Sequence, residues 1–330
     1  MVWIPDGTLL AGTPRDRVPR VADEEPPGTP VAMHGFYIDV LPYPNESGAI
    51  ATTNVSRDEA ARLCAAKEKR LCTEFEWEMA CKGPTNTSYE YGSAYRSAVC
   101  GTGLSSDEAA RRPVGERPEC KSAFGVMDLH GGAWEWTASS WSRGGQNAGL
   151  GVLKGGNALA GELVGRCANA MGRAPAARTA AFGFRCCAGP PNEPAMPWPA
   201  KTTLGLETVR DAEGLYETWE PVLRPVLGAQ SNHFARAWTW RPVSGEELTV
   251  LVVCDAPTRA VCAGVVGLTT SSGPTIIASA DLGRAVAVPD AVRLGDARNI
   301  RLRGLDTMGT FGRDVRYVYG RVEFRDVTRP

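Results

Sequence analysis

Between residues 125 and 137 the chain reads Gly-Val-Met-Asp-Leu-His-Gly-Gly-Ala-Trp-Glu-Trp-Thr. Asp128 supplies one carboxylate and Glu135 a second, with Gly131 and Gly132 between them. Glycines permit backbone conformations that a Cβ resists, so a turn here can present carbonyl oxygens between two carboxylates. That donor set suits a hard cation, Ca²⁺. The same residues also suit a packed turn whose Trp134 and Trp136 are core aromatics. Other chemistry is sparse. Three histidines (His34, His130, His233) are widely separated and none of the ten cysteines forms a C-x-x-C motif, so neither a zinc nor a haem site is expected. Ser56, the best-placed serine, is accounted for by helix capping.

The elements that would hold these residues are short. Ser56-Arg57-Asp58-Glu59 is a capping box, followed by apolar Ala60, Ala61, Leu63 and Cys64; Thr73-Glu74-Phe75-Glu76 repeats the device before Trp77 and Cys81. The Pro-rich, charged stretch Thr13 to Pro30 reads as an exposed loop. Residues 189–203, with Pro190, Pro191, Pro194, Pro197 and Pro199, read as a linker between domains at 1–188 and 204–330. Beyond it residues 205–228 have helical character weakened by Gly214, Pro221 and Pro225. Alternation in Phe234–Trp240 and Val315–Phe324, with runs Leu248–Val253, Ala260–Leu268 and Thr275–Ala280 between turn signals, predicts a β-rich, sandwich-like second domain.

The chain has 330 residues, 43% of them hydrophobic, enough for two packed cores. Lys and Arg number 36 against 37 Asp and Glu, so electrostatic capture of nucleic acid is not indicated. No apolar run approaches the roughly 20 residues of a membrane span. Ten cysteines favour disulfides and an oxidising compartment. Met1 leads straight into a strand-like segment without the charged and apolar regions of a signal peptide. The expectation is an extracytoplasmic chain, secreted, periplasmic or at the cell surface, whose signal sequence is already removed; a reduced cytosolic protein is the competing reading.

Five blocks in order carry a resemblance: Met1–Thr8 with Gly35–Asp39, Lys69–Cys81, Gly125–Thr137, Val152–Asn157 and Gly183–Cys186. Together they resemble the formylglycine-generating enzyme (sulfatase-modifying factor) domain over about residues 1–190. The resemblance implies an irregular α+β fold related to C-type lectins. It implies disulfides Cys64–Cys186 and Cys81–Cys167, and Ca²⁺ ligands at Asp128, Gly131, Ala133 and Glu135, with Gly132 replacing the family's usual Asn. A further family cation site maps near Ala98–Cys100, where its Asn is missing, and is not expected. Cys72 and Cys187 depart from the family pattern together and suggest a third bond; Cys100 and Cys120 bracket one loop and would make a fourth. Cys254 and Cys262 flank a turn and would make a fifth, or are two small buried residues.

The resembled enzyme oxidises a substrate cysteine with copper held by two of its own cysteines, shortly after an Arg-Gly-Gly-Ser motif. Here that motif is Lys154-Gly155-Gly156-Asn157, and no cysteine lies between Gly156 and Arg166. Copper(I) needs soft thiolates, which Asn157, Ala160 and Glu162 do not offer. A second branch of the superfamily holds iron on the histidines of an additional helical bundle that this chain lacks. Copper and iron are therefore not expected. The sequence points to a non-catalytic, disulfide-stapled binding or structural module, with a protein or glycan partner and a place in a larger assembly. The alternative is a divergent oxidoreductase with an unrecognised site.

Overall fold

Residues 1–199 and 200–330 form two separate units in the computed structural model. It describes residues 1–104, 112–143, 149–198, 202–227, 233–255, 261–270 and 272–327.

The first unit is built from short strands joined by long loops. One antiparallel sheet has the order Val2–Ile4, Phe36–Ile38, Cys186–Ala188, Arg70–Leu71. A second has the order Ala170–Arg173, Gly151–Gly155, Trp134–Ser140, Phe182–Phe184, the last pair running parallel. The strands Gly7–Gly12 and Pro27–Met33 form a separate ladder. Two apolar cores result. Ile4, Phe36, Trp77 and Leu129 lie in one; Val55, Trp136, Leu153 and Phe184 lie in the other.

Helix α1 (Arg57–Ala65) starts where Ser56 accepts the Glu59 amide, and α2 (Glu74–Lys82) where Thr73 and Glu76 cap each other reciprocally. Every residue of α2 is buried, its charged side chains included. They are tolerated because each has a partner. Glu74 meets Arg143 at 2.6 Å, Glu76 meets Arg70 at 2.7 Å, and Glu78 lies between Lys82 at 2.8 Å and Lys154 at 3.0 Å. Burial alone would raise the Glu78 carboxyl, but Lys154 and Lys82 hold it at about 2.

The stretch from Thr13 to Pro30 departs from the exposed loop expected of its composition. Arg20, Ala22 and Glu25 are buried, and both oxygens of Glu25 are bonded to Arg166, at 2.6 and 2.7 Å. A fully buried ion pair draws the loop inward, a signal invisible in local composition. The Pro-rich stretch after Ala188 is likewise packed on the first unit. Asn192 bonds to His34 and Glu76, and Trp198 stacks on Phe75.

Helix α3 (Ser97–Cys100) closes the helices of the first unit. In the second unit, a five-stranded antiparallel sheet runs Gly205–Thr208, His233–Arg241, Leu248–Asp255, Cys262–Thr270, Gly273–Gly283. Helix α4 (Ala212–Leu227) covers one face with Trp219 and Leu223, which meet Leu251, Val253 and Val265. Burial of those two side chains outweighs the amide hydrogens lost at Pro221 and Pro225. A four-stranded meander, Asp290–Arg293, Asn299–Asp306, Gly309–Val318 and Arg321–Asp326, approaches the other face closely. A Cβ on Gly264 would lie 2.5 Å from Leu302. Leu248–Asp255 is apolar on both faces because both are covered.

Candidate functional site

Five disulfides close: Cys64–Cys186, Cys72–Cys187, Cys81–Cys167, Cys100–Cys120 and Cys254–Cys262. No cysteine is free. The first two join helix α1 and the α1–α2 connection to strand Cys186–Ala188, and the third joins α2 to the turn before strand Ala170–Arg173. They fix the frame on which the Gly125–Thr137 segment is mounted.

That segment makes its turn as the glycines require. Gly131 has φ 88°, and a Cβ there would lie 1.9 Å from the Cys100 carbonyl oxygen. Its amide donates to Gly156 at 2.8 Å, which sets the turn against the Lys154–Asn157 stretch. Asp128 also takes a positive φ, 53°.

Asp128 and Glu135 each bond to partners of their own. Glu135 is buried, and its carboxylate is engaged by Arg185 in a two-pronged pair, Nε to Oε2 at 2.7 Å and Nη2 to Oε1 at 2.8 Å. Trp77 Nε1 donates to Oε2 as well, at 2.7 Å. The rest of the guanidinium faces the carbonyl oxygens of Asp39, Val40, Met127 and Asp128 at 3.0 to 3.2 Å. Arg185 thus stands among carboxylate and carbonyl oxygens, the ligand types Ca²⁺ would seek. A Ca²⁺ held by Asp128, Gly131, Ala133 and Glu135, as the resemblance implies, would lie beside this fixed charge, which opposes a divalent cation. Burial alone would lower Arg185, but Glu135 raises it, with Glu90 and Asp128 helping. Arg185 belongs to the Gly183–Cys186 block, yet its role was not legible there because its partner is 50 residues away.

Asp128 faces elsewhere. Its Oδ2 accepts the Gly115 amide at 2.6 Å, and the residue lines a cleft of about 320 Å³. Burial raises the Asp128 carboxyl, against the lowering effects of the Gly115 bond, Arg185 and Arg117. Gly131, Gly132 and Ala133 line the same cleft, with Asn157 and Leu159 forming another part of its wall.

That wall includes Asn157, which ends the block after which the resemblance puts the copper-holding cysteines. Lys154 instead turns into the core toward Glu78 and the Ala168 carbonyl. Asn157 accepts the Leu159 amide at 3.1 Å, and Leu159 is half exposed. Cys167 is bonded to Cys81. Among the described residues the cleft presents amide, carboxyl, guanidinium, imidazole and apolar groups, and no thiol.

Among the described residues, His, Cys, Asp and Glu donors gather in threes at Cys81, Glu90 and His130 and at Glu90, Cys100 and Cys120. Neither group includes Asp128 or Glu135. No helix among the described residues is long and apolar enough to cross a membrane.

Residues 45–189 match the Sulfatase-modifying factor enzyme 1-like domain. The chain is 30% identical to the inactive C-alpha-formylglycine-generating enzyme 2 of Mus musculus, over 44% of this chain and 51% of that protein. It is 31% identical to the hercynine oxygenase of Mycolicibacterium smegmatis, over 42% of this chain and 26% of that protein. The match thus spans about half of the first relative and a quarter of the second. Among solved structures, PvdO from Pseudomonas aeruginosa aligns with a TM-score of 0.47 at 19% identity, over 56% of this chain and 92% of that one.

Proposed function

Since residues 45–189 carry a sulfatase-modifying factor enzyme 1-like domain, we propose that this chain uses the scaffold without the oxidase chemistry, as a non-catalytic binding module in an extracytoplasmic compartment. The observation that carries the reading is the cleft wall at Asn157–Leu159, which offers no thiolate while every cysteine is committed to a disulfide. Copper(I) prefers soft ligands, and a cysteine serves as one only as its thiolate. The likeness to a relative named inactive supports the same reading. The five disulfides support an oxidising compartment. A protein or glycan partner would enter the cleft, where backbone groups, Asp128 and half-exposed Leu159 give mixed polar and apolar contact, and the second unit would dock the module in a larger assembly.

Incubation with copper, oxygen and a peptide bearing Cys-x-Pro-x-Arg should yield no aldehyde by mass spectrometry. Copper-dependent formylglycine would overturn the reading. Capture of a partner from envelope or medium by the wild type, lost in Leu159→Glu, would support it. The likeness to a hercynine oxygenase favours a second reading, a divergent oxidoreductase. Stoichiometric iron together with oxygen consumption would select that one.

A further inference from the structure

The second unit carries an apolar tip. Strands Asn299–Asp306 and Gly309–Val318 are joined through Thr307 and Met308 alone, since Asp306 pairs with Gly309. Met308, in that turn, is 80% exposed. Ile300 and Leu302 are buried, so alternation turns Arg301, Arg303 and Leu305 outward. Leu305 is 50% exposed, and Val286, whose amide donates to the Leu305 carbonyl at 2.7 Å, is 55% exposed. Three large apolar side chains thus stand in water at one hairpin end. Apolar side chains gathered in this way, rather than scattered singly, mark an interaction site.

Charge behind the tip indicates the partner. Residues 284–329 hold ten arginines and no lysine against six acidic residues. Arg303 stands about 7 Å behind Leu305 on the same face of its strand, and Arg284 precedes Val286 by two positions. Both arginines are exposed, and neither is in an ion pair among the described residues. The nearby carboxylates are already committed: Asp314 to Arg301, Glu323 to Arg325 and Asp290 to Arg236. The outer face is left with an excess of guanidinium charge. A guanidinium meets a phosphate through two parallel hydrogen bonds. Its long stem also keeps the charge at the head groups while apolar neighbours sink below them.

We propose that the hairpin end at residues 305–309, with Val286, Arg284 and Arg303, docks the second unit on a lipid bilayer rich in anionic phospholipid. Met308, Leu305 and Val286 enter the head-group boundary, roughly 5–10 Å deep in contacts of this kind, and Arg303 and Arg284 pair with phosphates above them. Both parts are needed. Three side chains bury little apolar area, and exposed charges alone are screened by salt. A protein partner would need a pocket shaped for this protruding turn, whereas a fluid bilayer admits it as it stands. The contact involves the second unit alone and is independent of what the cleft binds.

The full chain is floated on a density gradient with vesicles of equimolar phosphatidylglycerol and phosphatidylcholine, or of phosphatidylcholine alone. Partition onto the anionic vesicles should be about tenfold stronger or more, and raised salt should weaken it. Leu305→Asp combined with Met308→Asp should reduce that binding by about tenfold, and Arg284→Ser combined with Arg303→Ser by about fivefold. Tyr319→Asp is the control: Tyr319 is 47% exposed at the opposite end of strand Gly309–Val318, and its variant should bind as the wild type does. Circular dichroism checks the fold of each variant, and the arginine pair carries the test should the tip variant misfold. Failure to float with anionic vesicles, equal partition onto neutral ones, binding indifferent to both double variants, or an equal loss in Tyr319→Asp would each overturn the proposal.

Discussion

Arg185 holds the centre of the first unit, and replacing it separates two accounts of the Gly125–Thr137 turn. Arg185→Met would leave Glu135 buried with a single donor, Trp77. An uncompensated buried charge of this kind costs about 3–5 kcal/mol, so chemical denaturation should show a loss of that size. If the Arg185 pair alone neutralises Glu135, excess chelator should leave the melting temperature of the wild type unchanged. A chelator-induced fall in melting temperature would restore the cation. Gly131 gives a second test. Gly131→Ala combines a positive φ with a Cβ driven into the Cys100 carbonyl and should destabilise by more than the ~1 kcal/mol of an ordinary glycine replacement. At this scale the sequence was partly legible. The cysteine pairs were readable from the resemblance and from loop spacing. What Glu135 bonds to was not, because a carboxylate reads alike whether its partner is a metal ion or a guanidinium 50 residues away in sequence.

Helix α2 is buried together with its four charged residues, Glu74, Glu76, Glu78 and Lys82, and its stability should depend on acid accordingly. Glu78 has an ordinary value of 4.5 and is held at about 2 in the fold. A depressed carboxyl contributes stability that is present above the unfolded value and lost as pH falls through the folded one. Between pH 4.5 and about 2 the wild type should therefore lose stability in denaturant titrations, and Glu78→Gln, weaker at neutral pH, should show a flatter decline. Thr73→Ala removes the reciprocal cap and should cost about 1 kcal/mol. Both N-caps were legible as local patterns, since Ser56 and Thr73 act within one helical turn; only at Thr73 is the expected reciprocal box complete, Ser56 accepting the Glu59 amide without a return bond. The inward path of Thr13–Pro30 and the persistence of α4 through Pro221 and Pro225 were not. Each depends on distant burial, of Glu25 against Arg166 and of Trp219 under the sheet, which local propensity does not register.

Across the whole molecule the covalent cross-links divide as the two units do. Cys64, Cys72, Cys81, Cys100, Cys120, Cys167, Cys186 and Cys187 pair only with one another, while Cys254 pairs with Cys262 in the second unit. Non-reducing gels should therefore separate two pieces after cleavage anywhere between Cys187 and Cys254, and separation only upon reduction there would contradict this linkage. The loops drawn by Cys64–Cys186, Cys72–Cys187 and Cys81–Cys167 overlap, so no single cut between Cys64 and Cys187 sheds a fragment. A protease that nicks this surface leaves a particle of unchanged mass with all its parts tethered. The first unit can consequently carry new chain ends, and evolve or accept broken surface loops, without coming apart.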